Sequence, residues 1–378
     1  MSTGLEGQRV LFVNENLGGH ATMHHHLRAA LARRTELRAE VFDVPAAGLG
    51  RRIVGASVPG VARLDADLQP LRFQLAAASV VRRELLARRG TYDVLHLYSQ
   101  NAALLVTPQL RAVPSVVSTD CSNVQNAYAL PQRSPGPFTA HTLALTRRFE
   151  DRVFASATQV VAQSEWAAAS LRGDYGIDDV QVIPFGIVLP PPPRHRPQDV
   201  PEITFVGTSL ARKGGLLLLE VFREHLRGRA VLNLVTRDHV PAEDGVRVHD
   251  DFVPGDARLP DLLARTAVFA LPSDADKSSY AIVEALAAGV PVVTTSYGAQ
   301  PEMVPDGSCG FIVAPGDGRA LHEALARLLD DPALATRMGV AARARAEERF
   351  DAHRTTGALL DTLARAIDRH LSGRQPFR

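Results

Sequence analysis

The chain has 378 residues, of which 46% are hydrophobic and 22% are charged, and its formal net charge at pH 7 is +1. This length has room for two domains, and a net charge so near zero gives no argument for nucleic-acid binding. The first residues lack an apolar signal core, and no apolar run approaches the roughly 20 residues that span a bilayer. Since the two cysteines, Cys121 and Cys309, form no disulfide framework, we expect a soluble cytoplasmic protein.

The N-terminal half alternates short apolar runs with amphipathic stretches. The runs of strand length are 9–14, 41–44, 94–97, 114–120, 159–162 and 180–183. The stretches of helical period are 22–33, 71–89 and 138–155, and a further helix begins at Ser164. This alternation predicts a parallel sheet with crossover helices.

A glycine pair follows the first strand. Gly18 and Gly19 let the backbone approach a ligand closely, although the G-x-G-x-x-G spacing of a dinucleotide site is absent. His20 lies beside the glycines and is the histidine that we place near a substrate, on the acceptor side. His20 and His24 are four residues apart, but no further ligand is spaced nearby, so the sequence predicts no metal site.

Residues 51–89 are rich in arginine. Two interpretations of this region stay open, a face that contacts anionic lipid at the inner face of the membrane and a solvated helix face. The arginines in question are Arg51, Arg52, Arg82, Arg83, Arg88 and Arg89.

The fourth strand ends at Asp120, and the polar, proline-bearing stretch 121–141 follows it. Such a stretch is too long for a simple connection, so we interpret it as an acceptor loop. Prolines then become dense between residues 190 and 201, which is typical of a semi-rigid linker. We therefore divide the chain into an N-terminal domain (1–187), a linker (188–201), a C-terminal domain (202–353) and a terminal helix (354–378).

The second half repeats the strand–helix pattern. Its predicted strands are 203–206, 231–235, 246–248, 267–271, 292–293 and 311–313. Its predicted helices are 215–225, 259–266 and 320–329, and an apolar stripe marks the terminal helix. A second parallel sheet is expected here.

Two cations follow the first strand of this half. Arg212 and Lys213 lie in the loop 207–215, which runs G-T-S-L-A-R-K-G-G. The chain has only two lysines among 42 basic residues, Lys213 and Lys277, and both lie in the two stretches that we assign to ligand binding. A compact ammonium differs from a guanidinium at a phosphate, so we interpret Lys213 as a phosphate ligand.

The stretch 276–295 carries the most specific chemistry. Ser278 and Ser279 are typical N-cap residues, so the first turn of the next helix consists of Tyr280, Ala281 and Ile282. Backbone N–H groups there point outward with the positive end of the helix dipole and form a phosphate site. Glu284 lies one turn further along and suits a diol such as a ribose, while Asp276 precedes the helix and reaches a third portion of the ligand. Phosphate, diol and a further hydroxylated group together describe a nucleotide sugar.

These two stretches resemble the retaining GT-B glycosyltransferases of glycosyltransferase family 4. That family has two glutamates separated by seven residues, which match Glu284 and, as a shorter carboxylate, Asp276. Its diphosphate-binding lysine matches Lys213, whereas Thr208 stands where an arginine is common and Arg212 is its neighbour. Asp120 falls where the family has a histidine beside the donor sugar.

The resemblance implies a GT-B fold, in which two Rossmann-like domains face each other across a cleft and the donor lies mainly on the second. The implied enzyme is hexosyltransferase-like. It moves a sugar from a nucleotide-diphosphate sugar to a hydroxyl of a glycan, lipid-linked or small-molecule acceptor, with retention and with neither metal nor cofactor. Lys213, Asp120 and Asp276 are the expected catalytic residues. Two alternatives stay open, a nucleotide-sugar epimerase of the same fold and a noncatalytic partner subunit that binds sugar nucleotides.

Overall fold

The computed structural model describes residues 4–15, 20–58, 60–128, 135–191, 198–253 and 255–373. The chain divides into two compact units. The first consists of residues 1–186 together with 352–378, and the second of residues 187–351. Each unit is built on a parallel sheet of its own.

Six strands form the sheet of the first unit. They are β1 (Arg9–Asn14), β2 (Arg38–Asp43), β3 (Val94–Tyr98), β4 (Ser115–Thr119), β5 (Gln159–Ala162) and β6 (Val180–Val182). Their order is β2-β1-β3-β4-β5-β6, and every pair is parallel. In this register Val10 lies opposite Val94, and Leu95 lies opposite Ser115. The order reverses at β1, because β2 lies on one side of it and β3 on the other.

Helices cover both faces of this sheet. They are α1 (His20–Leu31), α2 (Leu49–Val54), α3 (Gln69–Ala87), α4 (Thr107–Ala112), α5 (Asn123–Tyr128), α6 (Thr139–Phe154), α7 (Glu165–Tyr175) and the C-terminal helix (Ala352–Leu371). Phe12 and its neighbours on one face pack against Leu31 of α1 and Leu363 of the C-terminal helix. Leu11 and Leu97 on the other face belong to the core formed with α3, α6 and α7. Strands buried on both faces explain the continuous apolar runs in the sequence.

The second unit repeats this architecture. Its strands are β7 (Glu202–Val206), β8 (Val231–Val235), β9 (Val246–His249), β10 (Thr266–Leu271), β11 (Val292–Thr295) and β12 (Gly310–Val313), in the parallel order β12-β11-β10-β7-β8-β9. Its helices are α8 (Leu210–Lys213), α9 (Gly215–Val221), α10 (Arg258–Leu263), α11 (Tyr280–Ala287), α12 (Gln300–Met303), α13 (Gly318–Asp330) and α14 (Pro332–Arg349). Across the described ranges of both units, no helix is at once long and apolar enough to cross a bilayer.

The predicted strands are confirmed, with differences at their ends, whereas three predicted segments are wrong in part. The stretch 121–141 is not one loop, because it contains α5 and the start of α6; residues 129–134 of it lie outside the described residues. The helix predicted over 259–266 ends at Leu263, and Thr266 already begins β10. The helix predicted over 215–225 changes to a π-helical turn at Phe222–Leu226.

Candidate active site

The second sheet has a topological switch point between β7 and β10. The strands β8 and β9 lie on one side of β7, and β10, β11 and β12 lie on the other. The loops that leave β7 and β10 therefore diverge at the carboxyl edge of the sheet. In open α/β sheets this is where ligands bind.

The loop after β7 is held in a fixed shape. Ser209 caps the short helix α8 by accepting a hydrogen bond from the Arg212 N–H, and Asp238 accepts from the Leu210 N–H at 2.7 Å. Gly214 has a φ of +76°, and a Cβ there would lie 1.9 Å from the carbonyl oxygen of Pro272. Only glycine allows the loop to approach the segment after β10 this closely. Thr208 is exposed in this loop.

Both cations of this loop reach the same carboxylate. Lys213 Nζ donates to Asp276 Oδ2, and Arg212 Nη1 lies 3.7 Å from Asp276 Oδ1. Asp276 is buried and Lys213 is nearly so, with side-chain exposures of 10% and 15%. Two positive charges facing one negative charge leave the cluster with a net charge of about +1, which is suited to an anionic ligand.

The loop that carries Asp276 is tied down by hydrogen bonds. Ser273 Oγ accepts from the Asp276 N–H at 3.1 Å and donates to the Arg212 carbonyl at 3.2 Å. Gln300 Nε2 donates to the Asp276 carbonyl at 2.9 Å. Because these contacts join the loop to α8 and α12, the carboxylate is positioned before any ligand arrives.

The helix α11 begins directly after this loop. Ser279 is its N-cap residue, as predicted, but its side chain makes no capping hydrogen bond. That side chain therefore does not occupy the first-turn amides, which belong to Tyr280, Ala281 and Ile282. An anion placed at this helix start would be stabilised by the amides and by the helix dipole.

Glu284 is the one acidic residue on the otherwise apolar helix α11. Burial raises the pKa of its carboxyl group to about 7. No side chain in the described ranges donates a hydrogen bond to it or forms an ion pair with it. A carboxylate that is desolvated and lacks a donor is matched by a ligand that supplies hydroxyl groups.

In the first unit, the structure brings two predicted site residues together. His20 Nε2 and Asp120 Oδ2 lie 3.7 Å apart, and both side chains are partly buried. The pair forms because α1 begins at His20 and Asp120 directly follows β4. Gly18 and Gly19 lie outside the described residues. Among the described residues, no cluster of three or more His, Cys, Asp or Glu side chains is arranged to hold a metal ion.

Sequence reasoning missed the polar groups at the switch point of the first sheet, between β1 and β3. The carboxylate of Glu15, which follows β1, accepts a hydrogen bond from Ser99, which follows β3. Both residues are buried, as are Asn14 and His96 within the strands themselves. The signal was present in the sequence, since a polar residue inside an apolar strand requires a partner or a ligand.

Comparison with known proteins identifies both units. The profile of the family described as Glycosyl transferases group 1 matches residues 200–331, and that of the Glycosyl transferase 4-like domain matches residues 18–186. The chain is 30% identical over 328 residues to the MMP alpha-(1->4)-mannosyltransferase of Mycolicibacterium hassiacum, covering 80% of this chain and 76% of that protein. It is 26% identical over 355 residues to the D-inositol 3-phosphate glycosyltransferase of Nocardia farcinica, covering 84% and 76%.

Solved structures share the fold at low sequence identity. Sucrose-phosphate synthase from Thermosynechococcus elongatus superposes with a TM-score of 0.69 at 18% identity, over 93% of this chain and 97% of that one. Anabaena HepE in complex with UDP-glucose superposes with a TM-score of 0.62 at 18% identity, over 97% and 100%. The shared fold is the GT-B fold, which was predicted from the sequence.

Proposed function

Because the chain belongs to the group 1 glycosyltransferases, we propose that it transfers a sugar from a nucleotide-diphosphate sugar to an acceptor hydroxyl with retention of configuration. The observation that carries this proposal is the cationic cluster of Lys213 and Arg212 on Asp276, next to the start of α11. Such a site is suited to a diphosphate, and Glu284 one turn along the same helix is suited to the ribose attached to it.

In the proposed reaction the bond between the anomeric carbon and the diphosphate oxygen breaks, and its electron pair stays on the diphosphate. The acceptor oxygen forms the new bond to the anomeric carbon, and its proton moves to the departing diphosphate oxygen. Negative charge therefore grows where Lys213, Arg212 and the α11 amides lie, and stabilising that charge lowers the barrier. Since a leaving-group oxygen takes the proton, the reaction requires no separate protein base and occurs on one face of the sugar.

The first test is a screen of nucleotide sugars by thermal shift. UDP-glucose and GDP-mannose are the starting probes, since names among the similar proteins include both. The donor that stabilises the protein is then incubated with candidate acceptors, and NMR of the first product gives its anomeric configuration. An inverted product would refute retention, and a donor that binds without any turnover, including hydrolysis, would refute transfer.

We further propose that the first unit contacts membranes through the exposed apolar side chains of α2 and through Leu64. Large apolar side chains are exposed there, at 77% for Leu49, 65% for Ile53 and 45% for Leu64. Of the arginines singled out from the sequence, Arg88 pairs with Glu40 and Glu84, whereas Arg52 donates to the Ala47 carbonyl and keeps its charge. Arg82, Arg83 and Arg89 are exposed. Apolar insertion, with the remaining positive charge near anionic headgroups, is therefore the expected mode.

Co-sedimentation with vesicles tests this contact. Vesicles of phosphatidylcholine with phosphatidylglycerol should bind the protein, and the double variant Leu49→Ser, Ile53→Ser should lose that binding. The matched control is Val340→Ser in the second unit, where the parent side chain is also 69% exposed. Equal binding of all three proteins would refute the proposal.

A further inference from the structure

A cavity of about 60 Å³ lies within the first unit, at the carboxyl end of its sheet and beneath α1 and the C-terminal helix. Most of its polar lining comes from α1 and from the strands and their ends, namely Asn14, His24, His96, Tyr98, Ser118 and Gln163, and the C-terminal helix adds Thr355 and Thr356. The remaining walls are largely apolar and include Ile183 and Leu359. Neither the predicted chemistry nor the diphosphate site of the second unit uses this cavity.

Asn14 presents a hydrogen-bond acceptor to the cavity lining. The residue is 0% exposed, and its Nδ2 donates to Asp43 Oδ1 at 3.0 Å, which fixes the orientation of the amide. Its Oδ1 has no hydrogen-bond partner in the described part of the chain. A buried acceptor without a partner is destabilising, so folded proteins contain few of them.

His24 presents a second acceptor. It is 2% exposed, and its Nε2 lies 3.3 Å from the backbone carbonyl oxygen of Glu15. A carbonyl oxygen only accepts, so Nε2 carries the proton and Nδ1 has a lone pair. Nδ1 has no partner among the described residues. Burial, assisted by the nearby His20, lowers the pKa of His24 to about 4, so the ring is neutral at pH 7.

His96 completes an uncharged lining. Its Nε2 lies 2.9 Å from Ser118 Oγ, and its Nδ1 has no partner among the described residues. Burial and the neighbouring His24 lower the pKa of His96 to about 3. The residues described as lining the cavity include no lysine or arginine. The cavity is therefore not matched to an anion, and its unpartnered acceptors are matched by water or by a neutral ligand that donates hydrogen bonds.

The size of the cavity limits how large a chemical group can enter it. One water needs roughly 10–15 Å³ of such space, so the cavity holds about four water-sized groups. Two carbons with one hydroxyl each are four such groups. At one wall, the backbone of Gly186 packs directly against the C-terminal helix. A Cβ at Gly186 would lie 2.3 Å from Thr355 Oγ1 of that helix, so a larger residue would not fit there.

We propose that this cavity binds a vicinal diol of an uncharged sugar or polyol, whose hydroxyl groups donate to Asn14 Oδ1 and His24 Nδ1. Identifying this molecule as the glycosyl acceptor rests on the proposed transfer reaction, whereas the binding itself does not. The aliphatic carbons of the diol contact the apolar walls.

NMR titration of the full chain tests the proposal through the imidazole resonances of His24 and His96. The probes are glycerol and methyl α-D-glucopyranoside, which have vicinal diols, and 1-propanol, which matches glycerol in carbon number but has one hydroxyl. Saturable shifts with the two diols and weaker binding of 1-propanol are expected. In His24→Leu, followed through His96, glycerol should bind about 5- to 10-fold more weakly, as the loss of one neutral hydrogen bond predicts.

The neighbouring exposed histidine provides the matched control, since His25→Leu removes an imidazole from the same helix outside the cavity. His25→Leu should bind glycerol like the parent protein, and His24→Gln, which keeps a donor for the Glu15 carbonyl and an acceptor, should recover part of the affinity. Shifts that never saturate, equal binding of glycerol and 1-propanol, or an unchanged glycerol affinity in a folded His24→Leu would each overturn the proposal. If His24→Leu does not fold, the comparison of probes on the parent protein decides. No donor is present in this titration, so its failure and that of the transfer reaction are separate results.

Discussion

Replacement of Glu284 by glutamine should stabilise the ligand-free protein and lower its affinity for the proposed nucleotide-sugar donor. The pKa of Glu284 is raised by burial from 4.5 to about 7, and this shift corresponds to about 3 kcal/mol between the neutral and the ionised forms. Below pH 4.5 the carboxyl is protonated in both the folded and the unfolded chain, so it contributes no difference. As the pH rises from 4.5 to 7, the unfolded chain loses its proton first, and the stability of the folded state falls. Above pH 7 the full cost is present, with about 3 kcal/mol as its upper value because the Glu284 residue is half-buried and keeps some contact with solvent.

Glutamine keeps the shape of the side chain and removes this titration. The gain in unfolding free energy of Glu284→Gln over the parent should therefore be near zero at pH 4.5 and approach about 3 kcal/mol at pH 8. Urea unfolding followed by circular dichroism measures it. The single tryptophan, Trp166, lies in the first unit, so its fluorescence gives the unfolding of that unit as an internal control that should not change. Glu323→Gln on α13, whose parent side chain is 61% exposed, should show no comparable gain.

Donor binding should depend on pH in the opposite sense. A ribose diol donates to the ionised carboxylate, and a group with a pKa of about 7 is roughly 10% ionised at pH 6 and 90% ionised at pH 8. The affinity of the parent protein for its donor should thus rise about tenfold over this range, while Glu284→Gln binds weakly and with little pH dependence. Calorimetry at the two pH values measures both. A stability gain that is the same at pH 5 and pH 8, or a parent affinity that does not change, would show that ionisation of Glu284 has neither consequence.

Three further predictions concern the reaction. Lys213→Ala should lower turnover on the order of 100-fold and lower donor affinity less, because the charge that Lys213 faces grows in the transition state. Lys213→Arg should recover only part of the turnover. If Lys213→Ala bound the donor and turned over like the parent protein, the diphosphate would lie elsewhere. Asp120→Ala should lower turnover more than it lowers nucleotide affinity, since its expected contact is to sugar, and near-normal rates with a known acceptor would mean that the strand was aligned wrongly to the family. Activity should persist in EDTA, because cationic side chains and a helix start occupy the diphosphate site; activity lost on chelation and restored by magnesium would contradict this.

The central strands of both sheets could be predicted from sequence because they are buried on both faces and are therefore apolar runs of strand length, whereas the edge strands β2 and β9 are partly exposed. The helix α14 was not predicted, since its sequence has few large apolar residues and is mostly alanine and arginine, with no clear stripe. The helix α2 was missed for another reason: its apolar residues Leu49 and Ile53 are exposed, so they follow no buried face. Where side chains do not pack, their pattern carries little information about structure.

The proposed diphosphate site was accessible to sequence reasoning in part. Spacing along the chain identified Lys213, Asp276 and Glu284 separately, because Lys213 follows β7, Asp276 follows β10 and Glu284 lies about one turn into α11. That Lys213 and Arg212 both meet Asp276 depends on β7 and β10 being neighbours, which the strand order alone decides. Likewise, no local pattern relates His20 to Asp120, which are 100 positions apart and 3.7 Å apart in space.

The residues that we assign to ligand binding include polar side chains in apolar, buried surroundings. Glu284 is a carboxyl on an apolar helix, and Asn14 and His96 are polar side chains inside buried strands, so each destabilises the fold that contains it. The two units differ in how that conflict is resolved. In the second unit Lys213 and Arg212 more than neutralise Asp276 and leave a positive charge that suits the proposed diphosphate, whereas in the first unit the desolvated imidazoles stay neutral and leave lone pairs. The proposed transfer reaction has one ionic leaving group, the diphosphate, and one neutral nucleophile, the acceptor hydroxyl. The cationic cluster around Asp276 suits the leaving group, and the uncharged cavity of the first unit suits the hydroxyl.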